Sequence, residues 1–490
     1  MSSKRPPIVS ILVARYLRAN NYTETLNAFI REAGLPPDAG ERTGNANESD
    51  QWTLEGILQE KQQFDKSLKF ERYGDDDKAD SDGWTVTAPS KPLQIPTPTS
   101  ANLLSVSVEP WHRSGEAQEE EEEEEEEEEH YIVATGADKC LSLLHAAPDY
   151  QVVSSLSGLS DSPILSVASV RQGRYQLATN MGGQLLLMKD GQVLDRRKDH
   201  MKYAIKVVTH EEEGEEEDDD HHIWIATAGW DAKVMVYRAT ISSTQTIGNP
   251  VGTIKLATNP ESILIVRNPD SGALTLLVSR RDSTFIYFYA LPSASSSTEC
   301  AEIGKQNLAP HSNAWVAFSP SCMALSPRDP SLLAVALSTL PHMKLMIVRL
   351  LFPKPDEESS SKGGEEGEEK AETQLSQAMA ALAVQNREDA AIMIQCNTFA
   401  PQTTYSTPQL VWRPDGSGLW VNGDDGVIRG IEAKTGKVVA VLKDGHEPGS
   451  KVRSIWAGWV QHNGKAEEWL VSGGFDKRLI VWRAQQPVLF

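Results

Sequence analysis

The sequence has no long hydrophobic segment and few cysteines, and these absences argue against several classes of protein. No run of 18 apolar residues occurs among the 490 residues, so no membrane-spanning helix is predicted. The four cysteines include no CxxC pair, which argues against a disulfide framework and a cysteine zinc site. The apolar stretch from Ile8 to Ala14 is stopped by Arg15 and lacks a following cleavage site. We therefore expect an intracellular chain, in the cytoplasm or the nucleus.

Acidic residues outnumber basic ones by 69 to 47, and most of the excess lies in three tracts. Residues 116–129, 211–220 and 356–372 together hold 29 Asp or Glu and two Lys, so the rest of the chain carries only +5 against −22 for the whole. Such tracts are too polar and too self-repelling to form a core, and we interpret them as solvated loops. Because the remaining positive surplus is small and the tracts repel phosphate, we expect no direct nucleic-acid ligand.

Two apolar stripes with helical spacing run through residues 8–33, separated by a turn at Asn20 and Asn21. Isolated short helices are marginal in water, so both stripes need a partner surface. The residues expected to provide the contact are Ile11, Leu12, Tyr16, Tyr22, Leu26 and Phe29.

The segment ILVARYLRANNYTETLNAFIREAGL resembles a LisH motif, a helical hairpin that mediates homodimerisation in its family. Asn21 stands where glycine is usual before the tyrosine, and asparagine can adopt the same backbone. The resemblance implies a LisH dimerisation hairpin over residues 1–35 and a homodimer; an unrelated hairpin packed on its own chain is the alternative. Residues 36–73 are expected to be a linker with an extra amphipathic helix, and residues 74–91 a disordered linker.

A short β pattern recurs seven times in residues 92–490. Each unit ends in an apolar strand, and most contain a second apolar strand before it with a Gly and Asp turn. Such units predict a mainly β fold, a seven-bladed β-propeller. Because the chain ends soon after the seventh strand, we expect residues 92–97 to complete the last blade. The recurring strands are 140–144, 184–189, 233–239, 285–291, 344–350, 427–433 and 478–484.

The last unit, GHEPGSKVRSIWAGW followed by EWLVSGGFDKRLIVWRA, resembles a WD repeat, and so does the third. The resemblance implies a buried structural hydrogen-bond network. A hydrolase would need one Ser-His-Asp set in an open cleft, whereas these residues recur in register with the repeat. We therefore expect no catalytic residue, cofactor or metal. The network positions are His446, Ser472, Asp476 and Trp482 in the seventh unit, and His200, Thr227, Asp231 and Tyr237 in the third.

In an up-and-down blade, all three acidic tracts fall in connections at one end of the propeller. We call the opposite end the turn face; it carries the turns between second and third strands and the loops leading into each innermost strand. Aromatic and arginine side chains are enriched at binding hot spots, and half-buried turn packing is the alternative for each. The residues expected to bind a partner there are Tyr203, Trp230, Arg280, Arg281, Trp315, His342, Lys451, Arg453 and Phe475.

Together these features predict a non-catalytic scaffold or adaptor that dimerises through LisH and binds protein or peptide ligands on the propeller. The alternative is an acidic chaperone that binds basic proteins such as histones through the three tracts. Residues 371–386 predict an amphipathic helix beside the third tract, expected to pack on the propeller rim, with capture of a partner as the alternative.

Overall fold

The computed structural model contains two compact units, Met1–Ala79 and Asp80–Phe490. It describes residues 8–40, 84, 86–112, 130–147, 149–212, 222–292, 300–310, 318–353, 374–462 and 465–484. The predicted helix within 51–73 and most of each acidic tract lie outside these residues.

The described part of the first unit is a helical hairpin of α1 (Ile8–Ala19) and α2 (Thr23–Glu32). Asn21 connects the helices with φ 59°, the left-handed conformation expected of it. Leu26 is buried in the core of the hairpin with Ala14, and the segment after α2 folds back to add Leu35 and Ala39. The hairpin and the segment after it therefore bury part of their own apolar surface.

The second unit is a seven-bladed β-propeller, as predicted. Seven four-stranded antiparallel sheets follow one another along the chain, and the first strands of neighbouring sheets contact each other around a closed ring. Blades 1 to 4 contain β2 (Leu103–Pro110), β3 (His130–Gly136), β4 (Leu141–His145), β5 (Val152–Leu156), β6 (Ile164–Val170), β7 (Tyr175–Asn180), β8 (Leu185–Lys189), β9 (Gln192–Arg197), β10 (Ala204–Glu211), β11 (Ile223–Gly229), β12 (Lys233–Ala239), β13 (Gly252–Lys255), β14 (Pro260–Arg267), β15 (Leu274–Arg280), β16 (Phe285–Ala290) and β17 (Glu302–Asn307).

Blades 5 to 7 contain β18 (Pro320–Leu325), β19 (Leu332–Leu337), β20 (His342–Arg349), β21 (Ile392–Pro401), β22 (Leu410–Trp412), β23 (Gly418–Val421), β24 (Ile428–Glu432), β25 (Val438–Leu442), β26 (Val452–His462), β27 (Lys465–Gly474) and β28 (Leu479–Arg483). Among the described residues, two further helices are the short α3 (Ile241–Thr244) and α4 (Gln374–Ala390), and α4 lies between the third and fourth strands of blade 5.

The two ends of the propeller chain share blade 7. β1 (Lys91–Ile95) pairs antiparallel with β28, from Lys91 opposite Arg483 to Ile95 opposite Leu479. This closure agrees with the expectation for residues 92–97, and it covers the edge that β28 would otherwise expose.

The hydrophobic core is divided among the blade interfaces. Each of the seven apolar clusters of the propeller combines residues from two neighbouring blades. Middle strands therefore pack on both faces, and Trp469, Leu470 and Val471 in β27 are all fully buried. Neighbouring blades stabilise one another through these shared clusters, so the ring holds together as one unit.

The segment before β1, which the sequence suggested to be linker, packs on blades 6 and 7. The Trp84 ring lies edge-on to Trp420 at 4.9 Å and covers the guanidinium of Arg413 at 4.4 Å. A Cβ on Gly418 or Gly430 would collide with the Trp84 ring, so both glycines leave room for it. Arg413 is fully buried, and it is neutralised by Glu468, 2.6 Å from Nη2 to Oε2.

The helix predicted beside the third tract is present, but the two apolar side chains described on its predicted apolar side are exposed. Met379 and Leu382 in α4 are 65% and 53% exposed. The helix is held near its C-terminal end, where the buried Glu388 accepts a hydrogen bond from the backbone N–H of Asn307. For Met379 and Leu382 the rim-packing prediction is wrong, because both side chains are exposed to solvent.

Candidate functional site

The His446 network in blade 7 is a chain of hydrogen bonds that links buried side chains. Nδ1 of His446 lies 3.0 Å from Asp476 Oδ2, and Nε2 lies 2.8 Å from Ser472 Oγ. The indole N–H of Trp482 donates to the same hydroxyl at 2.9 Å. Burial alone would raise the pKa of the Asp476 carboxyl, but hydrogen bonds from His446 and from two backbone N–H groups hold it below its ordinary value.

Blade 3 repeats the arrangement with one difference. His200 lies 2.9 Å from both Asp231 Oδ1 and Thr227 Oγ1. The hydroxyl of Tyr237, however, donates to Asp199 Oδ2 at 2.9 Å. Tyr237 is also hydrogen-bonded to Thr227, so it belongs to the network and extends it to Asp199, which also binds Arg197.

Burial argues that both networks serve architecture. Ser472 and Thr227 are fully buried, and the side chains of His446 and Asp476 have no exposed surface. A hydrolytic nucleophile needs a cleft that admits substrate and a site for the oxyanion. What these networks do is fix the turn between the second and third strands against the loop leading into the blade.

The turn face of blade 3 presents an exposed aromatic pair. The rings of Tyr203 and Trp230 stack with their centres 5.2 Å apart, and the backbone N–H of Trp230 donates to the backbone carbonyl of Tyr203. Met201, in the same loop, is 80% exposed. The pair is therefore held in place by its own backbone contact while part of its surface stays open to solvent.

Arg280 and Arg281, in the blade 4 turn, have different partners. Arg281 forms an ion pair with Glu261, 2.7 Å from Nε to Oε1. Arg280 binds only neutral oxygens, the hydroxyls of Tyr287 and Thr258, and its guanidinium lies 5.0 Å from the centre of the Tyr287 ring. Arg281 is thus neutralised within the blade, whereas Arg280 carries a charge without a described counter-ion.

Blades 5 to 7 continue the exposed surface. His342 meets the ring of Phe399 edge-on at 6.2 Å, and Phe399 is 60% exposed. Tyr405, in the next loop, is 87% exposed. Lys451 pairs with Asp424 at 2.9 Å, and its carbonyl accepts a hydrogen bond from the N–H of Phe475. His342, Lys451 and Phe475 therefore lie on one continuous surface with aromatics that the sequence did not single out.

A ring of bulged residues surrounds the mouth of the central channel on this face. Six of the seven innermost strands skip one residue near their start in pairing with the second strand. The skipped residues are apolar in blades 1 to 3 and polar in blades 4, 5 and 7. Their order around the ring is Leu104, Leu165, Ile205, Glu261, Ser321 and Arg453.

Arg453 is the cation of this ring. It is half-buried and makes no hydrogen bond or ion pair with any residue in the described ranges. Burial lowers the pKa of its guanidinium.

A groove of about 1070 Å³ crosses the turn face over blades 4, 5 and 6, and we call it the blade 4–6 groove. Its lining includes two of the bulged residues, Glu261 and Ser321. The blade 4 turn forms one wall, and residues 402–406 form part of the far side. The residues that line it are Glu261, Arg280, Arg281, Asp282, Ser283, Thr284, Phe285, Tyr287, Lys305, Asn307, Ala309, Phe318, Ser319, Ser321, Ser338, Thr339, Leu340, Gln402, Thr403, Thr404 and Ser406.

Some residues of the predicted site and most of the acidic tracts lie outside the described residues. Trp315 is not among them, and of the acidic tracts only Glu211 and Glu212 are described. Glu212 is not a free solvated acid, because it pairs with Arg238 at 2.8 Å. No group of three or more His, Cys, Asp or Glu that would suit a metal ion occurs in the ranges described.

The predicted dimer residues divide into two sets. Leu26 is buried in the core of its own hairpin. Tyr22 is 51% exposed, with its ring 6.4 Å from that of Tyr16. Ile11 and Leu12 on α1 are half-buried. An apolar surface on α1 and the turn thus remains after the hairpin has formed.

Fold and surface define a class: a seven-bladed β-propeller preceded by a LisH hairpin, an architecture typical of non-enzymatic scaffold proteins. Residues 123–483 match the family described as UCP007778, beta-propeller domain, and residues 8–37 match the LisH domain of the same family. The first match alone spans more than half of the chain, and the chain belongs to this family. No curated protein matches it significantly. Within the described ranges, no helix is both long enough and apolar enough to cross a membrane.

Proposed function

We propose that this chain is a non-catalytic scaffold in which the LisH hairpin pairs two chains and each propeller binds a protein or peptide partner on its turn face. The observation that carries the proposal is where large exposed apolar side chains lie. Surface patches of this kind on soluble proteins mark interaction sites. The turn-face members are Met201, Tyr203, Leu340, Phe399, Tyr405 and Phe475.

The other large exposed apolar residues of the propeller sheets are mostly aliphatic and stand singly on outer strands, such as Val152, Leu194 and Val441. Single exposed aliphatic residues are ordinary on protein surfaces. Aromatic side chains supply most of the energy of protein interfaces, and they are common on the turn face. No contact among the described residues favours the acidic-chaperone alternative.

Pairing of two chains would double the number of turn faces in one particle, so weak individual contacts would combine into tight binding. Support for pairing comes from the half-exposed apolar surface around Tyr22. Light scattering of the full chain should give twice the 53.9 kDa chain mass. Tyr22→Asp should reduce the mass to one chain, whereas Val441→Asp, at a comparably exposed site on β25, should leave it unchanged. A single-chain mass for the unsubstituted protein would refute the dimer.

The turn face is tested by affinity capture from cell extract with quantitative mass spectrometry. Tyr203→Ala combined with Phe475→Ala should lose partners that the intact chain retains. Leu194→Ala combined with Val441→Ala removes exposed apolar side chains from outer strands and serves as the matched control. Equal capture by both double variants would contradict a turn-face site.

A further inference from the structure

The blade 4–6 groove holds two cations: Arg280, which has no described counter-ion, and Lys305, which interacts electrostatically with the buried carboxyl of Glu388. Arg280 is fixed by three hydrogen bonds to neutral hydroxyls, 2.7 to 3.1 Å long. Lys305 is exposed, and its Nζ lies 5.2 Å from the centre of the Phe285 ring. Neither forms an ion pair with an acidic residue in the described ranges. A fixed positive charge such as that of Arg280 favours an anionic ligand group, because the cost of ordering its side chain is already met. Lys305 adds a second, exposed cation to the same lining.

The two cations belong to one aromatic platform. Phe285 and Tyr287 are neighbours on one side of β16 with ring centres 6.2 Å apart. Tyr287 on β16 also lies directly opposite Lys305 on the neighbouring strand β17. Arg280 and Lys305 therefore lie over adjacent rings of a single blade, and the rings limit how far either cation can move.

The acidic residues that line the groove limit how much negative charge a bound ligand can carry. Glu261 is already paired with Arg281, so its carboxylate adds no net charge to the lining. Asp282 is the remaining acid, and it would repel an extended polyanion. The lining as a whole carries a net charge of +1, from three cations and two acids. A single anionic group with neutral neighbours fits this balance, and a nucleic-acid backbone does not.

The rest of the groove suits a peptide. Hydroxyl groups from the turns and loops of three blades offer hydrogen bonds to an extended main chain. Leu340, 62% exposed, and Phe318 add apolar surface to the same lining. A lining of this mixed character, drawn from three blades, matches several residues of extended chain better than a compact small molecule.

We propose that the blade 4–6 groove binds an extended peptide segment of the partner through one anionic side chain held between Arg280 and Lys305, with an apolar side chain beside it. This inference rests on the proposed function and adds the chemistry of the ligand. The anionic group is a carboxylate or a phosphate, since both offer oxygens to the same two cations.

The test pans a phage-displayed library of random peptides on the full chain and measures selected peptides by fluorescence anisotropy. Selected sequences should share one Asp or Glu next to an apolar residue. Replacing that acid by its amide should weaken binding about tenfold, and replacing it by phosphoserine distinguishes the two sources of charge. Binding should also weaken at high salt.

Variants locate the site. Arg280→Gln and Lys305→Gln should each weaken the peptide about tenfold. Lys189→Gln is the matched control, because Lys189 lies over the Tyr175 ring of blade 2 at 5.5 Å in the same kind of cation–aromatic contact. Thermal unfolding checks that Arg280→Gln still folds, and the exposed Lys305 gives a second variant with little risk to the fold.

The outcomes separate this inference from the proposed function. If the peptides lack an acid, or bind both groove variants as well as the Lys189 control, the inference is overturned. If those peptides are nevertheless lost on Tyr203→Ala, the turn-face function stands while this inference falls. If the library yields no peptide that depends on any turn-face residue, both fail.

Discussion

Asp476→Ala measures how much the buried network of blade 7 contributes to stability. The Asp476 carboxylate accepts from His446 at 3.0 Å and from the backbone N–H groups of Glu447 at 2.9 Å and Arg478 at 3.2 Å. The variant strands the His446 N–H in a site without solvent. A buried donor left without a partner costs about 1–3 kcal/mol, whereas the exposed backbone of Glu447 can turn to water. We therefore expect a loss of about 2 kcal/mol in the free energy of unfolding.

The assay is urea unfolding followed by tryptophan fluorescence. Asp161→Ala is the control, because Asp161 is 88% exposed and forms only a surface ion pair with Arg196; its loss should be below about 0.5 kcal/mol. Asp476→Asn keeps one oxygen that can accept from His446 and should recover part of the stability. Equal urea midpoints for the two alanine variants would refute the structural role assigned to the network.

Three further predictions concern the same framework. Because the folded-state pKa of Asp476 lies below its unfolded value, the stabilisation is present above about pH 4 and fades as the pH falls through the folded pKa; urea midpoints of wild type and Asp476→Ala should converge in acid, and a constant gap would contradict this. Glu468→Ala leaves Arg413 buried without its main partner and should cost about 3–5 kcal/mol in urea unfolding; a neutral result would mean that the pair is dispensable. Trp84→Ala should cost about 2 kcal/mol by emptying the space kept by the glycines, whereas the exposed Trp459→Ala should be neutral; equal thermal midpoints would argue against docking of that segment.

Periodicity was enough to predict the propeller because each blade repeats the same physical problem. The seven third strands placed by the sequence all exist, and β1 completes the last sheet by pairing with β28. His446 and Asp476 were found because a hydrogen-bonded network needs fixed residue types at fixed spacing. The hydroxyl of Tyr237 also reaches Asp199, a contact that the repeat pattern did not predict.

Features that depend on contacts between distant segments were not predictable from local pattern. Trp84 stands alone in a polar stretch, and only the folded chain brings it to Gly430 in blade 6. A lone tryptophan in such a stretch was nevertheless a signal for docking. Leu340, Phe399 and Tyr405 are exposed at the groove because the β19–β20 turn, the end of β21 and the loop after it lie on the same face, and no repeat position marks them.

Hydroxyl-radical footprinting of the chain, free and bound to a captured partner, tests the central claim most directly because it reports which surface the partner covers. The exposed turn-face residues Tyr203, Phe399 and Tyr405 should lose oxidation in the complex. Trp459 and Met379 are similarly exposed elsewhere on the propeller unit and should be oxidised to the same extent in both states. Protection of Trp459 and Met379 with unchanged oxidation of the turn face would contradict the account.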